Sequence, residues 1–394
     1  MPNINHIILS WARETTELSI ENAAHKLQIK DGKTTSSEEK LLAYENGTLA
    51  PSRSMLLRMS KLYHRPLLTF YLDKPPRTGD RGEDFRTLPD QFEGQENAYV
   101  DVLIRDIKAR QSLVRETLID EEDINLGFIG GSTVDQGVLH IANILREALN
   151  FDLDEFRTQS DYGEAFKILR HKTEEAGVFV LLQGNLGSHH TNIGVDTFRG
   201  FALADDIAPF ILINDRDARS AWSFTLLHEM AHLALGQTGV SGAHGEMQIE
   251  KFCNEVASEF LLPTEEFKEF QLSSSDLEII SEEISHYAYA KKVSSSHIAY
   301  RLYRRNDIDK KSWTQLHEHY QKKWKEHREK EKAKNKQQAG GPSYYVVRKY
   351  KLGALVSLVQ RLTYSGVIST TKAGMLLDVK PLKVHRLFNE NQPA

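Results

Sequence analysis

Two histidines, His228 and His232, stand four residues apart in FTLLHEMAHLALG, Phe224 to Gly236. On a helix that spacing puts both rings one turn apart on the same face, so both can reach one ion. Zinc accepts imidazole nitrogens at about 2.0 to 2.1 Å in a tetrahedral site, and Glu229 can reach a metal-bound water without ligating the metal. Leu226, Leu227, Met230, Ala231, Leu233 and Ala234 make the helix apolar nearly all round, which predicts burial. Two unpartnered buried imidazoles would cost about 1 to 3 kcal/mol each, and a zinc ion removes that cost. The competing reading is a pair of core histidines satisfied by backbone carbonyls.

A hydrolytic zinc keeps three protein side chains and one open position. The stretch EMQIEKFCNEVASEFLLP offers Glu250, Glu255 and Glu259, on a helix whose apolar side carries Ile249, Phe252, Cys253, Val256, Phe260 and Leu261. Helical spacing separates Glu250 from Glu255 and Glu259 without choosing between them. His189, His190, Arg199 and Tyr287 are sources of a further donor to a tetrahedral oxyanion, and spacing selects none of them.

The elements that must position these residues are legible around them. VFVLLQG, TFRGFALAD and APFILIND are short apolar segments bounded by Gly, Asp, Asn and Pro, which predicts three strands of about five to seven residues leading into the histidine helix. Asp217 or Ser220 is the expected cap of that helix and Gly236 its end. Upstream, NAYVDVLIRDIKARQSLVRETL, VLHIANILREALN and GEAFKILRHKTEEAG have helical periodicity. Residues 7 to 73 read as four or five short helices, with Ser19 as an N-cap, a stop at Gly47 and a further helix start at Pro66. Proline, glycine and charge from Pro75 mark a linker. His286 and His297 are expected at the surface or at a cap. From Gln321 to Gln338 eight basic and three acidic residues without an apolar stripe predict a solvated helix or linker. Three more helical patterns follow Gly341, and ISTTKAGMLLDVKPLKVHRLF reads as helix, turn, helix.

FRGFAL, APFILIND, FTLLHEMAHLALG and IEKFCNEVASEFLLP, in that order, resemble the ImmA/IrrE family of zinc metallopeptidases. The resemblance implies that His228, His232 and Glu250 hold Zn2+, that Glu229 is the catalytic base and that Cys253 is a packed small residue. The chemistry it implies is peptide hydrolysis: zinc lowers the pKa of water from 15.7 toward about 7, and Glu229 takes the proton during attack on the carbonyl. DFRTLPD also recurs in this family, and the last helices resemble a small C-terminal module of some members. SIENAAHKL, LAYENGTLAPS and MSKLYHRPLLTFYLDKPP resemble the repressor-type helix-turn-helix of the xenobiotic-response-element family. That implies contact with double-stranded DNA, through Ser36, Ser37, Lys40, Asn46 and Arg53. Glu38 and Glu39 in the same helix oppose phosphate, so a helical protein-docking domain is the competing reading.

Composition bounds the whole. With 394 residues, 40% hydrophobic and 27% charged, the chain is long enough for two or three domains. The start MPNINHIILSWARE lacks the pattern of a secretory signal and Cys253 is the single cysteine, so a cytoplasmic protein without a membrane partner is expected. The formal charge of −5 argues against wholesale coating of nucleic acid and leaves room for one small DNA-reading module. The expected fold is α+β and mostly helical. Its parts are a helix-turn-helix domain at 1–74, a linker and helical connector at 75–150, a zincin-like metallopeptidase domain with a small sheet at 151–310, a charged helical linker at 311–342 and a C-terminal helical module at 343–394. The expected function is a zinc endopeptidase, inactive until triggered in one version, that cleaves a repressor or antitoxin with its own helix-turn-helix in stress, mobile-element or phage-defence control. A homodimer is compatible with it. The alternative is a zinc-stabilised transcription regulator without turnover.

Overall fold

The computed structural model describes residues 4–16, 18–32, 35–63, 65, 70, 95–119, 126–237, 243–337 and 343–389. It is mostly helical with one small sheet, as an α+β chain should be. Two compact units emerge: residues 1–107 with 185–198, and residues 108–184 with 199–394. Among the described residues no helix is long and apolar enough to cross a membrane.

In the first unit, α1 (His6–Glu14), α2 (Ile20–Lys26), α3 (Ser37–Glu45) and α4 (Arg53–Leu62) enclose a core that includes Ile8, Leu9, Ala24, Leu27, Leu41, Leu56 and Met59. Local chemistry sets the helix starts. The Ser19 hydroxyl accepts the Asn22 N–H, Ser36 and Glu39 form a reciprocal capping box, and the Ser52 hydroxyl accepts the Met55 N–H. Gly47 follows α3 with φ +74°, which an L side chain rarely adopts. The helix start at Pro66 and the stretch DFRTLPD lie outside the described residues. The long helix α5 (Gln95–Leu118) begins in this unit.

The second unit is built on α6 (Val138–Ala148), α7 (Leu153–Arg157), α8 (Tyr162–Glu175), α9 (Arg219–Ala234) and α10 (Ala243–Leu261) with strands β1 (Phe179–Leu182), β2 (Gly200–Leu203) and β3 (Phe210–Ile213). The strands run in the order β1-β3-β2, with β1 parallel and β2 antiparallel to β3. Each is four residues long, shorter than the five to seven expected. The α9 helix lies at the centre: Leu226, Leu227, Met230 and Leu233 share one core with Ile141 and Leu145 of α6, Phe166 and Leu169 of α8, Val180 and Ile211 of the sheet, and Val256 and Phe260 of α10. Burial on all sides explains why this helix is apolar all round.

Its ends differ from the expectation at one side. Ala218 is the N-cap, without a side-chain hydrogen bond; Asp217 instead accepts the Ala218 N–H and pairs with Arg199 at 3.4 Å, and Ser220 lies inside the helix. At the other end Gly236 takes φ +66° against Gly130, where the Gly130 and Ser132 N–H groups donate to the carbonyls of Leu233 and Ala234. The C-terminal carbonyls of α10 are likewise satisfied, by Arg146 on Glu259 and Phe260 and by Arg157 on Leu261.

Beyond α10 come α11 (Thr264–Phe267), α12 (Leu277–Lys291), α13 (Ser295–Arg305), α14 (Lys310–Gln337), α15 (Tyr344–Leu352), α16 (Ala354–Tyr364), α17 (Thr370–Leu377) and α18 (Val384–Asn389). The charged stretch from Gln321 belongs to α14, whose first turns pack Leu316, Trp313 and Tyr320 on the core before the helix becomes exposed. His286 is exposed. His297 lies at the capped start of α13, where its N–H donates to the Ser294 hydroxyl, and is half-buried: its Nε2 lies 3.2 Å from the Ser258 hydroxyl and its ring packs on Phe224. The last helices do not stand apart, because α15 and α16 pack on β1.

Candidate metal centre

His228 and His232 project from one face of α9, and α10 crosses that face with Glu250. The two Nε2 atoms are 3.1 Å apart. Glu250 meets both, Oε2 lying 3.2 Å from His228 Nε2 and Oε1 3.2 Å from His232 Nε2. A tetrahedral zinc with bonds of about 2.0 to 2.1 Å holds its donors roughly 3.3 to 3.4 Å apart, so this donor set fits one ion. Imidazole nitrogen and carboxylate oxygen are also the donors zinc favours. Helical spacing left three carboxylates open, and the packing of α10 on α9 separates them, bringing in Glu250 as the family resemblance implies. Glu255 faces Lys251 at 3.9 Å, and Glu259 accepts the Thr264 N–H at 3.0 Å; neither reaches the histidines.

The surroundings of His228 favour its unprotonated form. Burial pushes the His228 imidazole below its ordinary pKa, against the opposing pull of Glu250, so the ring is neutral as a ligand must be. Asn254, one turn along α10 from Glu250, lies against His228. Cys253 is fully buried beside His232, and burial raises its thiol pKa, which leaves it a packed neutral group.

Glu229 points elsewhere. It is only 3% exposed and sits beneath the first residue of β2: a Cβ built on Gly200 would lie 3.1 Å from Glu229 Oε1 and 2.6 Å from Thr225 Cγ2. Gly200 is therefore a site residue that periodicity could not find, and its one signal was a glycine opening an apolar strand. Strand β2 is also an edge of the described sheet, so backbone groups flank Glu229.

The remaining candidates are dispersed. Tyr287 stacks on Phe270 with ring centroids 4.1 Å apart, and Arg199 faces Asp217, so each already has a structural contact. His190 is exposed and the His189 side chain lies outside the described ones; both belong to the first unit. Of the residues expected to touch DNA, the Ser36 hydroxyl is held in the capping box, the Ser37 N–H donates to Asp31, and the Lys40 ammonium donates to the Lys30 carbonyl at 2.6 Å. Asn46 is exposed at the C-cap of α3, and the Arg53 side chain lies outside the described ones.

A helix carrying two histidines, backed by a small sheet and crossed by a helix that carries a glutamate, forms a site that could hold one metal ion. Residues 182–303 match the family described as the IrrE N-terminal-like domain, which supports a metallopeptidase of the ImmA/IrrE type. The match runs from Leu182, the last residue of β1, to Tyr303 in α13 and contains all three donors and Glu229. No curated protein and no solved structure matches the chain.

Proposed function

We propose that this chain is a cytoplasmic zinc endopeptidase that cleaves a regulatory protein. The observation that carries the reading is the placement of Glu229: a buried carboxylate adjacent to a ligand histidine, outside the three-donor set and beneath Gly200 of β2. A structural zinc site has no need of such a group. His228, His232 and Glu250 would hold zinc, which supplies Lewis acidity to polarise a peptide carbonyl and to make water acidic near neutral pH.

The chain's own residues do the rest. The Glu229 carboxylate accepts a proton from the attacking water as the new C–O bond forms, and returns it to the amide nitrogen as the C–N bond breaks. An extended substrate segment running along β2 would bring its backbone beside Glu229, which lies against Gly200. Support for a regulatory substrate comes from the family resemblance and from the helical modules joined to this domain in one chain. A small helix-turn-helix repressor or antitoxin encoded next to this protein is therefore the first substrate to test, and the role we propose is in stress, mobile-element or phage-defence control.

The deciding comparison is wild type against Glu229→Gln. The amide is nearly isosteric and not a ligand, so zinc content and melting temperature should be unchanged while repressor cleavage falls at least about a hundredfold. No cleavage by either protein, together with unchanged reporter output from the variant, would favour a zinc-stabilised regulator instead.

A further inference from the structure

The closing helices combine a charge and a geometry that peptide hydrolysis does not use. Residues 343–394 hold eight Lys and Arg against two Asp and Glu, and α14 before them holds ten against four, in a chain whose formal charge is −5. Residues 1–73, where the sequence placed a DNA reader, are nearly balanced at nine against eight. A duplex carries one negative charge per about 1.7 Å, so by charge the C-terminal end of this chain suits it better than the N-terminal end.

The geometry agrees with the charge. Asp378, Val379 and Lys380 join α17 to a 3₁₀ turn at Pro381–Lys383 that runs into α18, so six residues separate the two helices. The turn closes because Asp378 adopts the left-handed conformation and because residue 374 is glycine: a Cβ there would lie 2.7 Å from the Val379 carbonyl oxygen. Arg348 of α15 fixes the turn from behind, donating to the Leu377 carbonyl at 3.1 Å and to Asp378 Oδ2 at 2.9 Å. Ala373, Leu376, Leu377, Val384, Leu387 and Phe388 are buried, which orients the opposite side of the pair outward.

That outward side suits a duplex. Lys380, Lys383, His385, Arg386 and Asn389 are exposed, and Leu382 among them is 94% exposed. Among the described residues of the turn and second helix the one carboxylate, Asp378, is paired with Arg348. Arginine and asparagine are the side chains best shaped for guanine and adenine edges, an exposed leucine suits a thymine methyl, and lysines suit phosphates. By contrast α2 and α3 are joined by the longer segment 27–36, Glu38 and Glu39 open α3, and Lys40 is tied to Lys30.

We propose that α17 and α18 bind double-stranded DNA, with the second helix in the major groove and Lys380, Lys383 and Arg386 carrying the contact. The test is fluorescence anisotropy of the full zinc-loaded chain on a labelled duplex of about 30 base pairs, across about 50 to 200 mM salt. Wild type should bind, and more weakly as salt rises. Lys380→Gln/Lys383→Gln/Arg386→Gln should bind at least about tenfold more weakly and flatten the slope of log K against log salt by about 2 to 3. Leu382→Glu, at a position with no role in the core, should also lose at least about tenfold through like-charge repulsion with the backbone. Lys40→Gln should bind as wild type does. Absence of salt-dependent binding, wild-type affinity in the triple variant, or an equal loss in Lys40→Gln would overturn the proposal. Duplex affinity should be the same in Glu229→Gln, so the outcome is independent of the peptidase reading.

Discussion

Gly200 and the three donors make separate demands on single atoms. An alanine at 200 would put its Cβ 2.6 Å from Thr225 Cγ2 and 3.1 Å from Glu229 Oε1, so the Glu229 side chain or the strand must shift. Neither group belongs to the donor set, and Gly200→Ala should therefore retain its zinc while peptide cleavage falls by about tenfold or more, as small misplacements of catalytic groups do. Metal analysis beside a cleavage assay reads both, and parallel loss of zinc would mean that Gly200 supports the donors instead. His232→Ala should lose most of the one zinc expected per chain, as should Glu250→Ala, whereas Glu255→Ala should keep it because Glu255 faces Lys251. Full occupancy in His232→Ala would remove the basis of the metal centre.

At the scale of elements, α9 depends on contacts at its end and α13 on a neutral histidine. Gly236 ends α9 at φ +66°, where a Cβ would lie 2.8 Å from Gly130 Cα, so Gly236→Ala should destabilise by about 1 to 3 kcal/mol in urea unfolding. His297 packs between Ser258 and Phe224, and burial, with Arg301 nearby, lowers its pKa to about 3. Its unfolded value is about 6.5, so between those values the unfolded chain binds more protons than the folded one. Its contribution to stability is therefore complete above about pH 6.5 and is lost as pH falls toward about 3. Unfolding midpoints from pH 7.5 to 4.5 should fall more steeply for wild type than for His297→Gln, and identical slopes would show that His297 titrates normally.

For the molecule as a whole, one buried arginine joins the C-terminal helices to the sheet. Arg170 of α8 donates to the carbonyls of Tyr350 and Lys351 in α15 and of Val180 in β1, and pairs with Glu174 at 3.1 Å. Lys351 adds a bridge to Asp215, just past β3. Arg170→Met would leave carbonyls and a buried carboxylate without their cation, so a loss of about 3 kcal/mol or more is expected. Hydrogen exchange should then rise together in 344–364 and 179–182. Faster exchange in the C-terminal helices alone would show that the sheet holds without them.

Much of this was legible in the chain itself. The spacing of His228 and His232, the apolar surround of α9, the helical periodicities and the capping serines are local properties, and local properties follow from helix geometry within a few residues of sequence. Helical spacing alone did not choose Glu250 over Glu255 and Glu259, which the family resemblance and then the crossing of α10 on α9 did, and the partners of His297, Ser258 and Phe224, came from two distant helices. Gly200 acquired its meaning from Glu229, a residue 29 positions away that only the β2–α9 contact brings near. The basic excess after residue 310 was countable from composition, but which cations are committed to the fold, as Arg348 is, and which face outward, as Lys380 and Lys383 do, depended on long-range packing. Periodicity determines that a residue lies on a face; only the tertiary structure decides what that face meets, because the partner comes from distant sequence.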